Sequence, residues 1–145
     1  MTRQELVASP HIVFQDDTQK SDLLNPGTTQ DCLIALLSEV VAWGFHLEIT
    51  AVKTDHHDDS GLGLHCHFNG YCVDLWPLVD ATPGNYVDAG TETFRVFLDR
   101  CHACAHLYQI GLGGSAYTAA NLAAAGPTGF QDDGLDHVHL GAKVV

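Results

Sequence analysis

Two short stretches hold the residues best suited to chemistry. His67-Phe68-Asn69-Gly70-Tyr71-Cys72-Val73-Asp74 sets an imidazole seven residues before a carboxylate, and Asp136-His137-Val138-His139 sets a carboxylate three residues before a second imidazole. Neutral imidazole and carboxylate are the ligands of hydrolytic zinc sites, where three protein side chains hold the ion and a fourth position is left for water. A further carboxylate nearby can take the water's proton and return it to a leaving amine. Gly70 lets the chain turn sharply enough to bring His67 and Asp74 together. Alternate residues of an extended chain share a face, so His65 lies on the side of His67, and His137 on the side of His139, as alternative ligands or cleft residues. Either stretch alone also reads as a surface histidine, a turn glycine and a strand aspartate; the two together support a metal site.

The elements around these stretches are legible from periodicity. His11 to Phe14 (HIVF) is a short apolar run that Pro10 places at a sheet edge. Asn25-Pro26-Gly27 signals a turn, with Thr28 and Asp31 as the expected cap of a helix whose Leu33, Leu36, Leu37, Val40 and Val41 share a face before Gly44 ends it. Phe45 to Val52 alternates as a strand, and Tyr71 to Leu78 reads as the next strand, stopped by Pro77. Thr91 begins a second helix with Phe94, Phe97, Leu98, Cys101 and Cys104 on one face. A strand, LYQIGL, a glycine turn, a short helix in YTAANLAAAG and a final strand, HVHLG, complete the chain. The expected plan is one α+β domain over residues 1–145, a small antiparallel sheet packed with two main helices. Asp136 must then sit in the turn before the last strand, because strict alternation would aim it away from His139.

Composition narrows the partners. Six Lys and Arg against eighteen Asp and Glu leave a net charge of -12, which repels nucleic-acid phosphates and anionic membranes. The start of the chain lacks the basic and apolar regions of a secretory signal, so a cytoplasmic product is expected. Five cysteines are an odd number, and reduced, buried thiols are expected rather than a disulfide framework. Cys101 and Cys104 coincide with an apolar helix face and have no second Cys-x-x-Cys to complete a thiolate site, which favours core packing. The Asp55-His56-His57-Asp58-Asp59 run reads as a solvated loop, and the glycines at 111–114 as a turn.

The pairing of His-x-x-Gly-x-x-x-Asp with a downstream Asp-x-x-His resembles the zinc peptidases of the hedgehog/DD-peptidase superfamily, which includes D-alanyl-D-alanine carboxypeptidases and the L-alanyl-D-glutamate endopeptidases of phage endolysins. The resemblance spans Phe45 to Gly141 loosely. It implies His67, Asp74 and His139 as zinc ligands and Asp136 as the catalytic carboxylate. His65 stands where the family commonly has Ser, Cys72 where it has Ala, and Ala51-Val52-Lys53-Thr54 where it carries a Ser-Gly-Tyr-Arg-like stretch. Lys53 is thus the stand-in for an arginine that helps to hold substrate, and the Trp that often precedes the last His is absent. The implied activity is zinc-dependent hydrolysis of a peptide bond in peptidoglycan stem or cross-link peptides. Such a protein is cytoplasmic before release, or virion-associated. The alternative from another class is a non-catalytic structural or binding protein, such as a virion component with an assembly partner, that retains the fold.

Overall fold

The computed structural model describes residues 1–53, 69–88, 91–112, 115–118 and 137–143. In chain order the elements are α1 (Arg3–Val7), β1 (Ile12–Phe14), α2 (Asp17–Leu24), α3 (Asp31–Ala42), β2 (His46–Ala51), β3 (Cys72–Leu78), α4 (Glu92–Ala103), β4 (Leu107–Leu112), β5 (Ser115–Thr118) and β6 (Val138–Ala142). The strands form one six-stranded sheet in the order β1-β2-β3-β6-β4-β5. The domain is therefore mixed helix and sheet, with two twelve-residue helices, α3 and α4, as its main helical mass.

The sheet is not wholly antiparallel as expected. β1 runs parallel to β2, pairing Ile12 with Leu47 and Phe14 with Ile49. Parallel neighbours need a long crossover, and the chain supplies it with α2 and α3 between the two strands. The apolar periodicity did not reveal α1 and α2, yet both begin with a capping box. The Thr2 hydroxyl accepts from the Glu5 amide while the Glu5 carboxylate accepts from the Thr2 amide, and Asp16 and Gln19 satisfy each other's termini in the same way. That spacing is a readable start signal even in a polar sequence. Arg3 joins this end to α3: its guanidinium donates to the carbonyls of Leu23 and Thr29, to the Thr29 hydroxyl and to Asp31.

Two local expectations need correction. The cap of α3 is not Thr28; Gln30 holds the N-cap position without a side-chain bond, and Asp31 turns instead to Arg3. β3 ends at Leu78, the expected bound, with Pro77 inside it. Leu47, opposite Pro77, sends its amide to the carbonyl of His11, just before β1, while the Pro77 carbonyl accepts from Val87 on the other side, so no β2–β3 hydrogen bond is lost at the imino nitrogen. The Tyr117 and Thr118 start of the expected short helix is strand β5, paired with β4; the rest of that segment lies outside the described residues.

The cysteines divide. Cys32, Cys101 and Cys104 are free thiols, the last two buried on α4 and at its C-cap, as core packing requires. Burial raises the Cys101 thiol well above its ordinary value, and burial also pushes Cys104 up to about 11. Cys72, at the head of β3, is disulfide-bonded, which corrects the expectation of reduced thiols throughout. Its partner lies outside the described residues, because the other described cysteines are free.

One continuous hydrophobic cluster links the faces of α3 and α4 with Leu47, Ile49, Val73, Leu75, Ile110, Val138 and Leu140 of the sheet. No helix among the described residues is long and apolar enough to cross a membrane.

Candidate metal centre

Strand β3 buries Val73 and Leu75 completely and leaves Asp74 between them on the opposite face. β6 does the same: Val138 and Leu140 are fully buried, and His139 between them faces the other way. The two strands pair antiparallel with Asp74 directly opposite His139. The neighbour of His139 on its other flank is Gly111 of β4, which carries no side chain.

Nδ1 of His139 lies 3.1 Å from Oδ1 of Asp74. In the tautomer protonated at Nδ1 the imidazole donates to the carboxylate, and without that proton the same nitrogen can ligate a metal. His137, two residues earlier and therefore on the same side, brings Nε2 to 3.9 Å from the same oxygen, beyond hydrogen-bond reach. The side chains of Asp74 and His139 keep 17% and 15% of their surface open, and that of His137 28%. Solvent thus reaches the group without dissolving it.

A β-bulge between Ile49 and Ala51 lies beside this position, with Ala51 paired to Asp74 and Ile49 to Leu75. Bulges re-aim side chains next to functional sites. The hydroxyl of the extra residue, Thr50, donates to the backbone carbonyl of Asp74 at 3.3 Å and ties the bulge to β3. Lys53 is exposed and follows two residues after Ala51, close in sequence to the Asp74 pairing. On the entry side, Gly70 has φ of +81° and packs so tightly against the 28–29 backbone that an added Cβ would lie 2.3 Å from the Thr28 carbonyl oxygen. Its own carbonyl accepts from the Gln30 amide at 2.9 Å. The glycine of the motif therefore locks the entry of β3 to the start of α3, in addition to turning the chain.

The structure brings together Asp74, His139 and, farther out, His137. His65, His67 and Asp136, along with the 55–59 run, lie outside the described residues. Among the described residues no group of three His, Cys, Asp or Glu side chains is arranged to hold a metal ion. The pair that is present nonetheless fits half of such a site. With ligand distances of 2.0–2.1 Å, two donors on one tetrahedral zinc ion stand roughly 3.3 Å apart. Asp74 Oδ1 and His139 Nδ1 match that edge within a few tenths of an ångström, whereas His137 is set too far back.

Sequence reasoning missed a second polar group along the sheet. Glu48 is 5% exposed, yet it has partners: the Tyr86 hydroxyl donates to Oε2 and the Gly84 amide to Oε1. Its signal was a glutamate in the middle of a strand, which is costly to bury unless it is hydrogen-bonded. No family model, curated protein or solved structure matches the chain.

Proposed function

We propose that the chain is a zinc-dependent peptidase of the hedgehog/DD-peptidase type, hydrolysing a peptide bond in peptidoglycan stem or cross-link peptides, in the manner of phage endolysins. The observation that carries this reading is the 3.1 Å approach of Asp74 and His139, from segments 65 residues apart, in a register that presents both to the same partly open face. These are the residue types and positions that the two sequence motifs require. Asp74, His139 and His67 would hold the ion, and Asp136 would exchange the proton of the attacking water.

A bound zinc ion supplies a polarised scissile carbonyl and an acidified water. The chain's own residues supply the rest. The buried neighbours of Asp74 and His139 fix their side chains to one face of the sheet, so their donor atoms are set before any ion arrives. His137, half-buried at the rim, is placed to hydrogen-bond substrate or a ligand from outside the donor pair. Lys53 is the described cation nearest in sequence to the Asp74 pairing and is the candidate to meet a substrate carboxylate, as a point charge rather than a bidentate clamp. The zinc peptidase reading favours an endopeptidase over a carboxypeptidase, because it lacks the arginine that would grip a terminal carboxylate.

The test joins metal analysis to digestion of purified peptidoglycan, with new amine termini identified by mass spectrometry. One zinc per chain and released stem-peptide amines are expected. Asp74→Ala and His139→Ala should lose metal and cleavage together, and Asp136→Ala should keep metal and lose cleavage. Metal without cleavage would replace this reading by the non-catalytic structural or binding role. Failure of the wild-type chain to bind zinc would end the peptidase reading.

A further inference from the structure

A cleft of about 380 Å³ opens at the far end of β3 from Asp74, between the start of β2, the 78–88 segment and the start of α4. Four residues of strand separate Asp74 from Leu78, about 13 Å at the usual rise, so the cleft is distinct from the candidate metal centre. Its volume falls within the range of small-ligand pockets.

The walls are apolar and in part exposed. Val79 and Tyr86 are 62% and 46% exposed, two of the five large hydrophobic side chains left open to solvent among the described residues, and both line this cleft. Leu78 forms buried floor beside them. Tyr86 gives its hydroxyl to Glu48, which fixes the ring as an aromatic wall with no free polar end.

The polar lining has one sign. Asp88 is exposed, and its carboxylate has no cationic partner among the described residues; its backbone carbonyl is what receives the Thr91 amide and hydroxyl. Among the described residues no Lys or Arg lines the cleft. His46 also lines it, and Nδ1 of that ring is buried without a hydrogen-bond partner. The start of α4 contributes only about half a positive charge, and Thr91 already caps it by accepting from the Phe94 amide. Against that stand the full charge of Asp88 and a chain at -12. An anion is disfavoured here, and a neutral apolar ligand would leave the Asp88 carboxylate without a partner.

We infer that this cleft binds a primary ammonium on an aliphatic stem, the chemistry of a lysine side chain or a free diamine. The methylenes lie along Val79, Leu78 and Tyr86, as long cationic side chains cover apolar surface. The ammonium has three donors. It gives one to Asp88 and gains cation–π attraction from the Tyr86 ring.

The experiment titrates the ¹⁵N-labelled full chain at low salt with three probes: Nα-acetyl-lysine methylamide, cadaverine and Nα-acetyl-norleucine methylamide. Both amines are expected to shift amides at 44–46, 78–79 and 86–93, with the norleucine probe at least about tenfold weaker. Asp88→Asn should weaken amine binding about tenfold, the scale of one charge-assisted hydrogen bond, while the exposed and remote Asp17→Asn leaves it unchanged. Tighter binding of the acetyl-lysine probe identifies a peptide side chain as the source, and tighter cadaverine a free diamine; either supports the shared chemistry. Equal binding of norleucine, or shifts spread over the acidic surface and insensitive to Asp88→Asn, overturns the inference. His139→Ala should bind the amines as wild type does, so the outcome is independent of the peptidase reading.

Discussion

Replacing Gly70 by Ala tests whether the motif glycine holds β3 against α3. Two costs add. A φ of +81° costs an L-residue about 1–2 kcal/mol. The new Cβ would also meet the Thr28 carbonyl oxygen at 2.3 Å and Thr29 Cα at 2.9 Å, both backbone atoms that cannot rotate away. The two segments must separate by about 1 Å to reach ordinary contact, which strains the bonds from Gln30 N–H to the Gly70 carbonyl and from Gln30 Nε2 to the Asn69 carbonyl, each worth about 1 kcal/mol. The total is about 3–5 kcal/mol, a fall in melting temperature of roughly 10 °C for a chain of this size. Gly44→Ala is the internal reference: its φ is +89°, yet nothing lies within 4 Å of an added Cβ, so it should lose only the conformational share. Urea unfolding followed by tryptophan fluorescence gives both values. If Gly70→Ala falls within about 1 kcal/mol of Gly44→Ala, the tight approach is not a constraint, and the glycine matters only for its turn.

Other outcomes follow from the same contacts. Tyr86→Phe leaves the buried Glu48 carboxylate with the Gly84 amide alone and should cost about 1.5–3 kcal/mol by chemical denaturation. The Tyr86 phenol is raised first by its hydrogen bond to Glu48 and then by burial, so its ultraviolet titration should fall back towards the ordinary tyrosine range in Glu48→Gln. Cys104, with its thiol near 11, is ionised to about one part in a thousand at pH 8; Cys101 and Cys104 should therefore resist iodoacetamide in the native protein and react on unfolding. The carboxyls of Glu5, Asp16 and Asp80 are held below their ordinary values chiefly by backbone amides. Depressed folded values mean that their stabilisation is complete above pH 4.5 and is lost as pH falls through the folded values. Melting temperature should drop below that point, and less steeply in Asp16→Asn.

What the sequence disclosed depended on whether one segment carried its own signal. The 3.6-residue repeat of α3 and α4, and the alternation of β2 and β6, announce elements whose burial decides their form, and those elements appear at nearly the expected bounds. α1 and α2 bury few residues, and their evidence lay in polar capping boxes rather than apolar spacing. Pro77 is tolerated within β3 because its harm depends on which way its missing amide points, a property of the neighbouring strand's register and not of the residue. Asp74 and His139 were legible as a pair through spacing and resemblance. The Glu48–Tyr86 contact and the cleft at His46 were not, since each joins segments whose proximity follows only from the hairpin-like return after β3.

The candidate centre owes its geometry to residues with no chemistry of their own. In β6, Val138, Leu140 and Ala142 point into the core, and in β3 Val73 and Leu75 do the same. Sliding β6 by one residue would turn His139 inward and expose Val138 and Leu140, forfeiting about 1.5–3 kcal/mol for each large side chain. Sliding it by two would restore the faces but set Asp74 opposite His137 or Gly141, and the paired strand β4 would have to slip with it. Hydrophobic alternation rules out the first error, and β6's position between two partners opposes the second. The register that places a carboxylate oxygen 3.1 Å from an imidazole nitrogen is therefore enforced by the apolar face of the same strands, so the approach of Asp74 to His139 is a consequence of folding.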